Sequence, residues 1–578
     1  MKKTSLAIVL AFAVACPSLL SGCADENSPN TWVSRLDDGA KRAAAVKRLG
    51  QFFEDTMTKV NGDREDPTVK ALLDVIAEPM AKLYAGRTGD DKTRRELLKI
   101  ISDLHDARTS PALAAAFQDY EAGRNDEEVK NAASCIVAMT KKSVVIDEAL
   151  EDAVFSVFAK FRPSKSKLAG AYKELHGAIL AVKSKRWATK AADLLKVPVD
   201  ETPDSKLDEI LFRQLTAVQL LGELKDPATV PALVGVLLTK EKGDLRATVT
   251  SVLLRIGAPA EAALAGALGG ADPAWATMQS RWPERSWVPA IAEAATMLGR
   301  PLVRAQALAV LATETNVTNK ALLAQFAYRF APNADALAAY KTAVESTDPG
   351  AVLAGAARGD ARANMLASAT YFYDASLVDW LVKLSAPTLK LIAGKKDDPR
   401  KEEQLPALMT EADTAIKLMT KEQLASVLPL VTGADAAMFA LAGVKGNTMR
   451  AKYDAASGAL ETCNADAECF AQIVSDPVET RKPEKVMRAV KAATMTAFFS
   501  TPETATKNAQ RLAKLLAKQP DPSARLAAVE AIDFLLPKGD GEVATVLDET
   551  IDGELKAGTK NLAHDGMRKV ANRLRARL

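Results

Sequence analysis

The chain has 578 residues, 48% hydrophobic but only 5% aromatic, with alanine supplying much of the apolar content. That is enough for a large core. Small, helix-favouring side chains point to closely stacked helices rather than a sheet sandwich, which draws on β-branched and aromatic residues. A net charge of +3, from 76 basic and 73 acidic side chains, excludes a general field for nucleic acid or an anionic membrane surface.

The N-terminus reads as an export signal. Lys2 and Lys3 give a positive start, and residues 6–15 form an apolar run too short to persist as a bilayer-spanning helix. Leu20-Ser21-Gly22-Cys23 follows. This quartet resembles the lipobox of bacterial lipoproteins. The resemblance implies a signal peptide over 1–22, cleavage before Cys23, a thioether-linked diacylglycerol on Cys23 and an acylated new amino terminus. Several acyl chains hold far more firmly than one, since each buried methylene contributes about 0.8 kcal/mol. Ala24 stands where the enteric pattern puts Asp for inner-membrane retention, so the resemblance favours the outer membrane. A rival quartet, Ala13-Val14-Ala15-Cys16, lacks the leucine and leaves a very short apolar run. An ordinary signal peptide cut elsewhere is the alternative reading. Residues 23–31 are expected to form a short, polar, lipidated tether.

From Trp32 onward apolar residues recur at three- and four-residue spacing, as in Leu97, Leu98, Ile101 and Leu104, with no alternating strand of useful length. Short turns separate the segments, such as Lys225-Asp226-Pro227 and Gly539-Asp540-Gly541. One pattern recurs: an acid, a base at the fifth place and paired alanines at the seventh and eighth. It reads Asp38, Arg42, Ala44, Ala45; then Asp126, Lys130, Ala132, Ala133; then Asp521, Arg525, Ala527, Ala528. The openings are separated by near multiples of about 44 residues. Looser matches begin near Leu245, Val303 and Arg362. One helical pair cannot bury its apolar stripe alone, whereas stacked copies share a continuous core. The alanine pairs are expected where neighbouring helices touch, and the base is expected to meet an acid of the adjacent turn.

The fullest unit lies at 215–234: Leu221-Gly222-Glu223-Leu224 ends one helix, Asp226-Pro227 makes the turn, and Val230-Pro231-Ala232-Leu233 opens the next. This resembles a HEAT repeat, and Leu254-Arg255-Ile256-Gly257-Ala258-Pro259 echoes it. The resemblance implies an all-α HEAT-like solenoid, a right-handed superhelix of antiparallel helix pairs, over 32–394 and 405–578. Residues 270–300 and 390–450 fit poorly and read as insertions. The charge run Lys395-Lys396-Asp397-Asp398-Pro399-Arg400-Lys401-Glu402-Glu403 reads as an exposed loop or hinge, 395–404, between the two parts.

Cys463 and Cys469 bracket a polar stretch. On one continuous helix they would lie about 9 Å apart along the axis, too far for a disulfide, so a break near 464–466 is required. In an exported protein a small disulfide loop is the expected outcome, at the low end of about 2–4 kcal/mol. The alternative is a metal or redox pair, which lacks a nearby His or third Cys. Cys135, among Ala132, Ala133, Ile136 and Val137, reads as a buried small apolar residue. His105, His176 and His564 stand apart, and no HExxH, phosphate-loop or nucleophile-elbow motif occurs, so no catalytic residue, metal or cofactor is assigned.

Trp275, Trp282 and Trp287 gather with Arg281 and Arg285. Aromatic and arginine side chains are common interface anchors, which makes these five the candidate partner-binding residues. Filling a wider groove in an irregular repeat is the structural alternative. Arg568, Lys569, Arg573, Arg575 and Arg577 mark the last helix as a polar end-cap, with Val570 and Leu574 inward; contact with anionic lipid or nucleic acid is the other reading.

The expected function is a non-catalytic, lipid-anchored envelope protein whose solenoid binds another envelope protein or peptide. No nucleic acid is expected. The alternatives are a structural spacer of the envelope and an enzyme acting on a partner protein, as HEAT-like chromophore lyases of phycobilisomes do.

Overall fold

A computed structural model describes residues 25–270, 273–298, 301–330, 333–346, 365, 380, 467–475, 482–499, 502–559 and 561–578. The signal segment, Cys23, the 395–404 charge run, Cys463 and the loose repeat near Arg362 lie outside the described residues. The described residues form helices and turns, with no strand among them. No described helix is long and apolar enough to cross a membrane. The chain divides into two compact units, Met1–Leu224 and Lys225–Leu578.

In the first unit the helices are α1 Pro29–Val33, α2 Arg42–Lys59, α3 Pro67–Ala85, α4 Asp91–Leu104, α5 Ser110–Gln118, α6 Asp126–Lys141, α7 Glu148–Lys160, α8 Ala169–Val182, α9 Ala188–Leu194 and α10 Leu215–Leu224. A π-helical segment, Lys206–Gln214, leads straight into α10. Even-numbered helices α2, α4, α6, α8 and α10 stack in one layer, and α1, α3, α5 and α7 in the other. Consecutive helices such as α3 and α4, or α7 and α8, also pack on each other, so each pair lends one apolar stripe to a shared core. Leu49, Ile76, Met80, Phe117, Phe158 and Trp187 lie fully inside it.

The tether expected over 23–31 is folded from Asp25 on. Helix α1 packs against α2 and α3. The Trp32 indole N–H donates to the Glu26 carbonyl at 2.8 Å, and Arg35 stacks 4.3 Å above the Trp32 ring while pairing with Glu26. A large aromatic at the entry recruits the polar stretch before it, which shape and charge at the sequence level did not suggest.

The repeat period is written in the polar bonds between helices. Arg64 to the Leu104 carbonyl, Ser166 to Asp126, His176 to Thr216 and Lys183 to Glu223 each join residues 40 positions apart. Ser164 to Asp208 joins residues 44 apart. In the second unit Trp282 to Leu238 spans 44, Leu302 to Glu261 spans 41 and Arg573 to Asp533 spans 40. Bonds recurring at separations of 40 to 44 residues in distinct parts of the chain are what stacked copies produce.

The Asp-Pro signature has a local cause. Asp66, Asp226 and Asp521 each accept a backbone N–H of the turn they open, and the following proline occupies a first-turn position whose N–H would have no partner. Gly257, at φ +78, makes the sharp joint between helices Arg246–Ile256 and Ala258–Gly269.

The second unit stacks helices Pro483–Phe499, Pro522–Leu535 and Ala563–Ala576 as one layer and Pro502–Leu516 with Gly541–Lys556 as the other. Its core includes Val486, Leu512, Val529, Ile532, Leu547 and Leu574. Residues 273–298, expected to fit the repeat poorly, hold the short helix Pro273–Gln279, a 3-10 turn at Pro283–Arg285 and the helix Val288–Leu298. Glu284 and Arg285 both adopt positive φ there.

Candidate interaction surface

The tryptophans of the tryptophan-arginine stretch turn largely inward. Trp275 and Trp287 are buried. Trp282 is half-buried; its indole N–H donates to the Leu238 carbonyl at 2.7 Å and Arg246 lies 5.3 Å from its ring centre. Arg285 reaches the buried Glu314 at 3.6 Å, and Asn319 donates to the carbonyls of Glu284 and Arg285. Of the five candidate partner-binding residues, Arg281, Arg285 and part of Trp282 face solvent.

The basic residues of the last helix are engaged with internal acids. Arg573 and Arg577 both meet Asp533 at 2.9 Å, Arg575 meets Asp548 at 2.7 Å, and Arg568 meets Asp565 at 3.3 Å. Val570 and Leu574 point inward as expected. The helix is no open end-cap, however: it also packs on helices Arg246–Ile256, Val288–Leu298 and Val317–Phe330. Asp565 accepts two bonds from Arg255, at 3.0 and 2.9 Å, and one from Ser251.

Cys135 is buried and free, with its thiol pushed up to about 12 by burial. Cys469, in the helix Ala467–Ser475, is disulfide-bonded. His176 bonds Thr216 and His564 bonds Glu554, whereas His105 sits at the C-terminus of α4 in the left-handed region. Three histidines thus serve three separate packing contexts. Among the described residues no group of His, Cys, Asp or Glu is arranged to hold a metal ion.

A different surface emerges in the first unit, one that motif reading passed over. In a chain this poor in aromatics, a continuous run of rings links Trp187, Phe155, Phe158, Phe212, Phe161 and Tyr120, with centroids 5.3 to 5.6 Å apart. At its edge Tyr172, on the first turn of α8, stands edge-on to Phe212 at 6.2 Å. Tyr172 is 41% exposed, and on the π-helical segment that carries Phe212, Leu207 and Leu211 are 36% and 56% exposed.

The loop between α7 and α8 leads into the helix of Tyr172 and packs on the π-helical segment. It runs Arg162-Pro163-Ser164-Lys165-Ser166-Lys167-Leu168, with three cations and no acid. Two buried carboxylates from flanking elements fix it. Asp208 accepts the Ser164 N–H at 2.8 Å and its hydroxyl at 2.7 Å. Asp126 accepts the Ser166 hydroxyl and the Lys167 N–H, both at 2.9 Å. Gly123, at φ +76, lets the preceding turn close on the Lys165 carbonyl, where a Cβ would come within 2.8 Å. The sequence signals were the run of alternating Ser and Lys and the crowding of rings between 155 and 212.

No protein-family model matches the chain. No curated protein matches it. Solved structures to which it is similar include Kap121p, with 11% identity and a TM-score of 0.40 over 92% of this chain and 68% of that one. Importin beta is similar with 12% identity and a TM-score of 0.30 over 95% of this chain and 79% of that one. The UNC-45 chaperone, described for binding and folding muscle myosin, is similar with 11% identity and a TM-score of 0.23 over 94% of this chain and 70% of that one.

Proposed function

We propose that this protein is a lipid-anchored binding scaffold of the cell envelope, holding another envelope protein or peptide on its stacked helices without catalysing a reaction on it. The observation that carries the binding part is the exposed Tyr172, Leu207 and Leu211 group. A spacer has no use for large apolar side chains left in water next to a rigid loop, whereas a partner gives them cover. The anchoring part rests on Lys2, Lys3 and the Leu20-Ser21-Gly22-Cys23 quartet. Because the chain is folded from Asp25, a lipid on Cys23 would hold α1 close to the bilayer surface. Ala24 in the same reading favours the outer membrane.

Two experiments test this. Cys23→Ser should abolish membrane fractionation and acyl labelling; unchanged fractionation would refute the anchor. Crosslinking in intact cells, followed by recovery of the tagged chain, should yield one specific envelope partner. An Arg281→Ala, Trp282→Ala and Arg285→Ala variant run beside it asks whether the second-unit stretch contributes. A wild-type chain that captures nothing would favour the spacer.

A further inference from the structure

We infer that the first-unit surface made by the 162–168 loop, Tyr172, Leu207 and Leu211 receives an acidic amphipathic helix of a partner protein. This rests on the binding-scaffold reading and gives it a partner chemistry.

The apolar half of the argument is geometric. In the π-helical segment each turn is wider than an α-turn. Asp208 and Phe212 face inward and are buried, which leaves Leu207 and Leu211 on the outer side, four positions apart. From α8 the exposed Tyr172 meets this segment edge-on at Phe212, with the rings of Phe158 and Phe161 behind. Three of the four large apolar side chains exposed among the described residues of this unit therefore lie on α8 and the π-helical segment, which Tyr172 and Phe212 join and whose Asp208 holds the loop; the fourth, Val145, lies in the turn before α7. A helix with apolar side chains at i, i+3 or i+4, and i+7 presents an apolar stripe that would cover such side chains.

The charge half comes from the loop. Arg162, Lys165 and Lys167 are exposed on it, while the carboxylates that hold it, Asp126 and Asp208, are buried. Of the three cations, Lys165 has Asp204 within 3.4 Å, an ion pair exposed on both sides and therefore weak. An incoming helix flanked by Glu or Asp would meet a cationic rim beside an apolar strip, which favours encounter and fixes register. A nucleic acid would engage the cations and leave Leu207 and Leu211 in water. The loop is already in place: its backbone is held from both sides by Asp126, Asp208 and Gly123, so little ordering entropy is lost on binding.

The test is selection from a random helical-peptide display library on the immobilised full-length chain. The enriched peptides should carry apolar residues at helical spacing with Asp or Glu flanking them. Their affinity should fall about tenfold or more for Leu211→Ser, and by a similar factor for Lys165→Glu with Lys167→Glu. These side chains are exposed, so the variants should keep the wild-type circular dichroism and melting temperature. Enriched peptides without acids, binding unmoved by Leu211→Ser, or no enrichment at all would each overturn the inference. If the crosslinked partner is still captured by both variants, this surface is wrong and the scaffold reading stands. If neither the library nor the crosslinking yields a binder, the scaffold reading itself falls.

Discussion

Aligned acids in a repeat need not do the same work. Asp521 caps its helix, Asp38 closes a turn onto Ala40 and pairs with Lys41, and Asp126 is buried and holds the loop of the next copy. The bases at the fifth place diverge as well. Arg42 donates to the carbonyls of Leu36 and Asp37, whereas Arg525 is 1% exposed and meets Glu554 at 2.6 Å. Glu554 also bonds His564 at 2.5 Å, so one carboxylate serves two buried donors. Glu554→Ala should therefore cost roughly 3 kcal/mol, because it strands a buried guanidinium; pairing Arg525→Met with Glu554→Gln should recover more than half of that in urea unfolding. His105 gives a pH signature. Burial, with Arg64 and Lys142 nearby, lowers its pKa from 6.5 to about 4. Between those values the unfolded chain takes up a proton that the folded chain refuses, so stability present above pH 6.5 is lost as pH falls toward 4 and then levels off. Asn tolerates the left-handed backbone of this position. His105→Asn should flatten the melting temperature between those pH values relative to wild type. Asp533 acts in a separate window: burial raises its carboxyl, Arg573 and Arg577 outweigh that and hold it low, so its contribution is lost only below the ordinary Asp value of 3.8.

At the scale of elements, the helices were legible because their ends are local events. Asp-Pro fixes a start through one capping bond and one missing N–H, and the apolar spacing fixes the buried face. Over 215–234 the sequence shows a helix ending at Leu224, a turn at Asp226-Pro227 and a helix opening at Val230, and the structure has helices Leu215–Leu224 and Val230–Leu237 with a turn at Pro227–Thr229. What sequence could not show is which ring of a cluster turns inward. Trp275 and Trp287 are buried and Trp282 is pinned, yet all three have similar neighbours in sequence. The π-helical segment was equally invisible, since nothing local in 206–214 marks it and its Phe212 packs on rings from elsewhere, Phe158 of α7 and Phe161 just beyond that helix. The last helix looks like an end-cap in the sequence because its two-sided burial depends on residues some 300 positions earlier: Asp565 meets Ser251 and Arg255 across separations of 314 and 310. That bond predicts a local effect. Asp565→Ala should destabilise the unit by only about 1–2 kcal/mol, Arg255 being one-third exposed, but should raise amide exchange in both 246–256 and 563–576. Faster exchange in the last helix alone would show that the clasp does not couple the two.

Across the whole molecule, the sequence period of about 44 residues and the 40- to 44-residue polar bonds agree because both count one copy. Such a chain is held by neighbour contacts rather than by one central core, and its stability approximates a sum of local pieces. Ala528 makes this testable. It is buried in the core shared by the helices that span 483–576, where an alanine leaves room for close approach. Ala528→Phe should overpack that site by about 1–3 kcal/mol. In a chain with one cooperative transition, that loss would appear everywhere as faster exchange of the most protected amides. In a chain of stacked copies it should appear between 483 and 576 and fade with distance along the repeats. Hydrogen exchange read by mass spectrometry separates the two. Protection in α2 through α8, over residues 42–182, should match wild type, and an equal fall there would mean that the copies do not carry their own stability.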